Sequence, residues 1–156
     1  MTGTDLRIAV YERTNVAANT NAAGCFNSST QSLTISPRLT GGQLSTQLNS
    51  QTSGPGGDVL TDSRGYSVGS RNGDATTIKA YKNGAGVVPY TPGSVGSTLP
   101  TVPVFIGAAC NNSSAATGFR AASGGFVAVG AALSGAQELA QYNAVQAFAT
   151  AVGAQV

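Results

Sequence analysis

The chain has 156 residues, a net charge of +2 and 9% charged residues, against about 25% in ordinary globular proteins. Its 41% apolar content falls in patterned runs, which is not the composition of a disordered chain, and its length suffices for one domain with a real core, residues 1–156. No stretch concentrates Lys or Arg, which argues against nucleic-acid binding, and no apolar run of about 18 residues is present to cross a membrane as a helix.

The first residues, Met1 to Asp5, show neither the basic start nor the apolar stretch of a signal peptide. Leu6, Ile8 and Val10 then alternate with Arg7, Ala9, Tyr11 and Arg13, which predicts a strand over 5–13 with one buried and one wet face. A polar loop over 14–22 follows. Gly24-Cys25-Phe26 reads as a short strand, Gln31 to Ser36 as a strand ended by Pro37, and Gln43 to Asn49 as the next one. Ser53-Gly54-Pro55-Gly56-Gly57 is the strongest loop signal in the chain.

Residues 65–90 predict three consecutive antiparallel strands. Tyr66 to Ser70 alternates; Asn72-Gly73-Asp74 and Asn83-Gly84 are turn signals, because Gly and Asn tolerate the positive φ of tight hairpins. Between the turns, Thr76, Ile78 and Ala80 alternate with Thr77, Lys79 and Tyr81. Further on, 102–107 predicts a strand that Pro103 would place at an edge, and 119–133 predicts one or two strands with Phe126, Ala128 and Gly130 opposite Val127 and Val129. At Ser134 the period changes. Ser134 and Gln137 fit a capping box. Leu139, Tyr142, Val145, Phe148 (or Ala149) and Val152 form one stripe, and Gly153 stands where a C-terminal cap would. The expectation is an all-β antiparallel sandwich with one α-helix at about 134–152 packed against it.

Several of these runs also carry a resemblance. Ser63-Arg64-Gly65-Tyr66, Ser70-Arg71 and Lys79-Ala80-Tyr81-Lys82-Asn83-Gly84 resemble concanavalin A-like, laminin-G-like jelly rolls. Val104 to Ala108, Gly125 to Gly130, Leu133 to Gln137 and Tyr142 to Phe148 resemble the end of such domains in phage and prophage structural proteins. The resemblance implies a jelly-roll β-sandwich carried on a virion, outside the cell. It also implies strands before the equivalent of Leu6, so that an open sheet edge near the N-terminus would pair with a neighbouring subunit, as in a homo-oligomer.

The chemistry available is narrow. Without His there is no Ser-His-Asp triad and no His base. Asp5, Glu12, Asp58, Asp62, Asp74 and Glu138 are the carboxylates; none reads as embedded in an apolar strand, and Glu138 fits the first helical turn, where its charge favours the dipole. Asp58, Asp62 and Asp74 are weighed as loop ligands for calcium and read instead as solvated turn residues. No cofactor or metal is expected. Cys25 and Cys110 read either as one disulfide closing a long loop or as small buried hydrophobes. Sugar binding joins aromatic stacking to neutral hydrogen-bonding groups. The candidates are Tyr11, Tyr81, Lys79, Asn72 and Asn111, with Asn112 beside them; the two tyrosines read alternatively as covering a subunit contact or lying beneath the helix. The functional expectation is a non-enzymatic structural or adhesive virion component, in a tail fibre, spike or capsid decoration, contacting a host glycan or other subunits. The alternative is a soluble carbohydrate-binding module of a secreted enzyme.

Overall fold

The computed structural model describes residues 2–28, 30–50, 54–55, 59–73, 77–92, 94–111 and 115–156. Among them are twelve strands and one helix: β1 (Asp5–Glu12), β2 (Ala23–Ser28), β3 (Gln31–Ser36), β4 (Ser45–Leu48), β5 (Gly54–Pro55), β6 (Gly65–Asn72), β7 (Ile78–Lys82), β8 (Ala85–Tyr90), β9 (Phe105–Ile106), β10 (Ala109–Asn111), β11 (Ala116–Thr117), β12 (Gly124–Gly130) and α1 (Gly135–Ala151). A five-stranded sheet runs β12-β1-β6-β7-β8. A seven-stranded sheet runs β11-β10-β2-β3-β4-β5, with β9 also on β2. The fold is the expected β-sandwich with a C-terminal helix. Its pairings are antiparallel except one, the parallel pair β10–β2.

The three strands predicted over 65–90 are β6, β7 and β8, adjacent and antiparallel in that order. Their second turn is built by Asn83 (φ 51°) and Gly84 (φ 79°). Both lie in the left-handed region that a two-residue hairpin turn of this kind requires. Gly84 has a second reason to be glycine: a Cβ there would stand 2.8 Å from Leu139 Cδ1 and 2.9 Å from Tyr142 Cδ1, because α1 packs over the turn.

The sandwich has three layers of packing elements and two cores. Between the sheets, Leu6, Ile8 and Val10 of β1 meet Ala23 and Cys25 of β2, Leu33 and Ile35 of β3, Leu48 of β4, and Ile78 and Ala80 of β7. The sheets approach closely at Gly69, where a Cβ would lie 2.1 Å from Thr46 Oγ1. On the other face of the five-stranded sheet, Ala9, Tyr11, Tyr66 and Val68 are covered by Val145 and Ala149 of α1, with Tyr81, Phe126, Ala128 and Tyr142 packed around them. Strand β1 is therefore buried on both faces, and the wet face expected for Arg7, Ala9 and Tyr11 is instead the floor of the helix.

Two further expectations are corrected. No open sheet edge lies at β1, which is flanked by β6 and β12; the edges of that sheet are β8 and β12. The stripe on α1 holds in part: Val145 and Ala149 are buried and Tyr142 packs with them, while Leu139, Phe148 and Val152 are 46%, 60% and 56% exposed and Glu138 is buried instead. The helix start is as read from the sequence, with Gln137 N donating to Ser134 Oγ (3.3 Å) and Ser134 N to Gln137 Oε1 (2.8 Å). Gly153, at φ 64°, follows the helix end.

Buried ions tie the layers together. Arg7 Nε donates to Glu138 Oε1 (2.7 Å) and Nη2 to Glu138 Oε2 (2.9 Å); Nη2 also donates to the Tyr66 hydroxyl. Burial alone would lower the Arg7 pKa, but the hydrogen bond to Glu138 and the charges of Tyr66 and Glu138 hold it above its ordinary value. Burial pushes the Tyr66 phenol up to about 12. At the Leu6 end of β1, Arg71 Nη1 donates to the carbonyls of Gly3, Leu48 and Gly96, and buried Asn49 donates to Gly3 and Thr98 and accepts from Ser32 N.

Candidate functional site

The site lies at the other end of β1, where the sandwich opens. Gly124 and Gly125 bring β12 to β1 out of step: Tyr11 pairs with Phe126, but Glu12 pairs with Gly124, so one residue of β12 is extra. Such a bulge bends its strand away from the neighbour. A cavity of about 330 Å³ opens there, lined by Val10 to Glu12, Ala22, Ile106, Gly107, Arg120, Ala122 and Gly124 to Val127.

Its floor is a buried ion pair. Arg120 and Glu12 are 5% and 2% exposed. Arg120 Nε donates to Glu12 Oε1 (2.5 Å) and Nη2 to Glu12 Oε2 (3.1 Å). Nη2 also reaches the Val16 carbonyl (2.7 Å), and Nη1 reaches the carbonyls of Ala18 (3.3 Å) and Thr20 (3.2 Å). The guanidinium thus gathers the 16–20 loop against the end of β1. Its donors are directed at these partners, which makes Arg120 a scaffold for the cavity and not a hand held out to a ligand.

Ile106 of the lining is exposed, and two further exposed apolar side chains, Phe119 and Val104, lie within two residues of lining residues in the chain. Ile106 and Phe119 are 73% and 72% exposed, and Val104 is 40% exposed. Arg120 N donates to the Gly107 carbonyl (2.9 Å), which ties the backbone that follows Phe119 to the backbone that follows Ile106. Exposed apolar groups of this kind at a concavity mark a contact surface. The cavity therefore offers the Phe126 ring, aliphatic walls and glycine backbone.

Lys82 stands near by on the inner face of β7, two residues beyond Ala80. Its Nζ donates to the Ser63 carbonyl (2.7 Å) and Ser67 Oγ (3.0 Å). Burial pushes the ammonium down from 10.5 to about 8, with Glu12 and Asp62 pulling it up and Arg120 pushing it down. The folded chain holds this proton less tightly than the unfolded chain, so the stability lost to burying the charge returns as pH rises from about 8 to about 10.5. The expected result is that wild type gains thermal stability relative to Lys82→Met across that window; parallel melting profiles of the two proteins from pH 8 to pH 10.5 would contradict it.

The residues read from sequence as glycan ligands do not converge. Tyr11 is buried under α1, its hydroxyl 3.5 Å from Gln146 Oε1 and accepting from Val156 N (3.2 Å). Tyr81 is half-buried beside the same helix, and Lys79 is exposed on the same strand. Asn72 is exposed at the far end of β6, paired with Asp5, whereas Tyr11 pairs with Tyr66. Asn111 closes β10 in the other sheet, in register with Phe26. The reading of the tyrosines as lying beneath the helix is the one the geometry follows.

Of the acidic candidates, Asp62 pairs with Arg64 (2.6 Å), which holds its carboxyl below the ordinary range through that hydrogen bond. Asp58, Asp74 and Asn112 lie outside the described residues. The expectation that no carboxylate is embedded in an apolar strand is overturned by Glu12 of β1; Glu138 lies in the first helical turn as expected but is buried, and each is neutralised by an arginine distant in sequence. Among the described residues, no group of three or more His, Cys, Asp or Glu side chains comes together, and no helix is long and apolar enough to cross a membrane. Glu12, Arg120, Ile106 and Phe119 were not singled out by the sequence. The available signal was the Gly124-Gly125 pair, since adjacent glycines in a strand mark a bulge or a close approach.

No protein-family model and no curated protein matches the chain. One solved structure similar to it is domain 4 of AbnA, a GH43 extracellular arabinanase from Geobacillus stearothermophilus, in complex with arabinotriose. The TM-score is 0.51 at 13% identity, over 89% of this chain and 68% of that one. At that identity the likeness defines the fold class, a β-sandwich domain.

Proposed function

We propose that the chain is a non-catalytic carbohydrate-binding module that takes a short oligosaccharide across the open end of its sandwich. The observation that carries this is the 330 Å³ cavity, lined by exposed Ile106 and by Arg120, with the exposed Phe119 next to Arg120 in the chain. A sugar ring has an apolar face that an aromatic ring can cover and hydroxyls that need hydrogen-bonding partners. Phe119 supplies the first, and the backbone of Gly107, Gly124 and Gly125 supplies the second. The fold's likeness to a domain solved with arabinotriose supports the same reading. Placement on a phage particle rests on the sequence resemblance alone and is not part of this proposal.

The test is calorimetric titration of the protein with neutral oligosaccharides, arabino-oligosaccharides first. Phe119→Ala is expected to weaken binding about 10-fold, the scale of a modest hot spot, with Tm unchanged because the ring is 72% exposed. Equal affinity in the two proteins would remove Phe119 from the site. If wild type binds no oligosaccharide of a broad panel, the proposal fails.

A further inference from the structure

The two cysteines stand opposite one another. Cys110 of β10 is in register with Cys25 of β2, in the one parallel pairing among the described strands. Both are buried, at 0% and 2% exposure. Neighbouring strands lie about 4.8 Å apart, within the Cα separation of roughly 4.4–6.8 Å that a disulfide spans. Residues at matching register project from the same face of a sheet. Burial first, and then the charge of Cys110, push the Cys25 thiol up to about 11.

We propose that Cys25 and Cys110 form a disulfide when the chain folds under oxidising conditions, and that this bond fastens β10 to β2. From β10 the chain runs through β11 into Phe119 and Arg120, so the cross-link anchors the segment that carries the aromatic group and the floor arginine. The oxidant is a low-molecular-weight disulfide such as oxidised glutathione. One cysteine thiolate attacks it, forming a mixed disulfide and releasing one glutathione. The second thiolate displaces the other, so two protein thiols give up two protons and two electrons, and one glutathione disulfide becomes two glutathiones.

Burial sets when this happens. The thiolate is the nucleophile, and a thiol held at about 11 and shielded from solvent reacts slowly once the fold is closed. The bond therefore forms during folding and afterwards resists mild reductants.

The experiment uses the full chain. It is unfolded with reductant and denaturant, refolded in a glutathione redox buffer, denatured again, and its remaining thiols are counted by a chromogenic disulfide and by mass spectrometry. The expected product is monomeric, has no reactive thiol, is about 2 Da lighter than the reduced chain, and yields a proteolytic fragment joining Cys25 to Cys110. Its Tm is expected to exceed that of the reduced chain by roughly 10 °C, since the bond closes a long loop. That difference should vanish in Cys25→Ala/Cys110→Ala. Two reactive thiols, a persistent glutathione adduct on one cysteine, or a dimer linked through either would each overturn the proposal. The thiol count on the wild-type chain decides the matter even if the double variant does not fold.

Discussion

Arg7→Leu is expected to lower the unfolding free energy by about 3–5 kcal/mol, the usual result of stranding a buried charge. In a chain of this size that is a fall in Tm of about 10 °C. Arg7 and Glu138 are 3% and 0% exposed and meet through two hydrogen bonds. Without the guanidinium, the Glu138 carboxylate keeps its burial and loses its counter-charge. The rest of the helix has little with which to offset this, because the other buried side chains of α1 are Val145 and Ala149. Glu138→Gln keeps shape but leaves Arg7 as a buried cation, and the same range applies. Arg7→Met/Glu138→Leu is expected to recover most of the loss, since well-packed apolar residues often replace a buried pair without penalty. Urea and thermal unfolding followed by circular dichroism measure all three. A single variant within about 1 kcal/mol of wild type would mean that the pair is hydrated and that α1 docks by apolar contact alone.

The elements that were legible in the sequence are those whose cause is local. The β6–β7–β8 meander is written in alternation and in Asn83-Gly84, and the helix start in Ser134 and Gln137, three residues apart. What escaped is the partner of each face. Arg7 read as a solvent residue, and Tyr11 was left between a glycan face, a subunit contact and a place beneath the helix, because their cover, α1, follows more than a hundred positions later and nothing in β1 itself records that a helix will lie on it. The apolar stripe of α1 was legible in part: Val145 and Ala149 are buried, but Leu139 and Phe148, though larger than Ala149, stay exposed, since the buried face also holds Glu138, where Arg7 waits. The cavity was hidden because it is assembled from the ends of β1, β2, β9 and β12, of which β9 is two residues long. One compositional clue did point inward. In a chain with 9% charged residues, Arg7, Glu12, Arg71, Arg120 and Glu138 are all buried. Neutral hydroxyl and amide groups cover the surface, so much of the remaining charge holds the interior together.

Arg120→Met is expected to destabilise the chain by a comparable 3–5 kcal/mol and, unlike Phe119→Ala, to abolish oligosaccharide binding and stability together. The substitution removes both hydrogen bonds to Glu12, leaving that carboxylate 2% exposed and unpaired by its arginine. It also strips donors from the carbonyls of Val16, Ala18 and Thr20, so the 16–20 loop loses its tie to β1. Arg120→Lys is expected to rescue little. A lysine restores the charge as a single point, whereas the fork of a guanidinium reaches a carboxylate and several carbonyls at once. Glu12→Gln should be the milder change, because the carbonyls still hold the arginine in place. The decisive comparison is thermal stability and sugar affinity measured on the same four proteins. If Arg120→Lys keeps both near wild type, the floor of the cavity depends on charge alone and the fork geometry is not what shapes the site. If Arg120→Met loses affinity at unchanged Tm, then Arg120 touches the ligand directly, and its place beneath the cavity has to be read as a binding role.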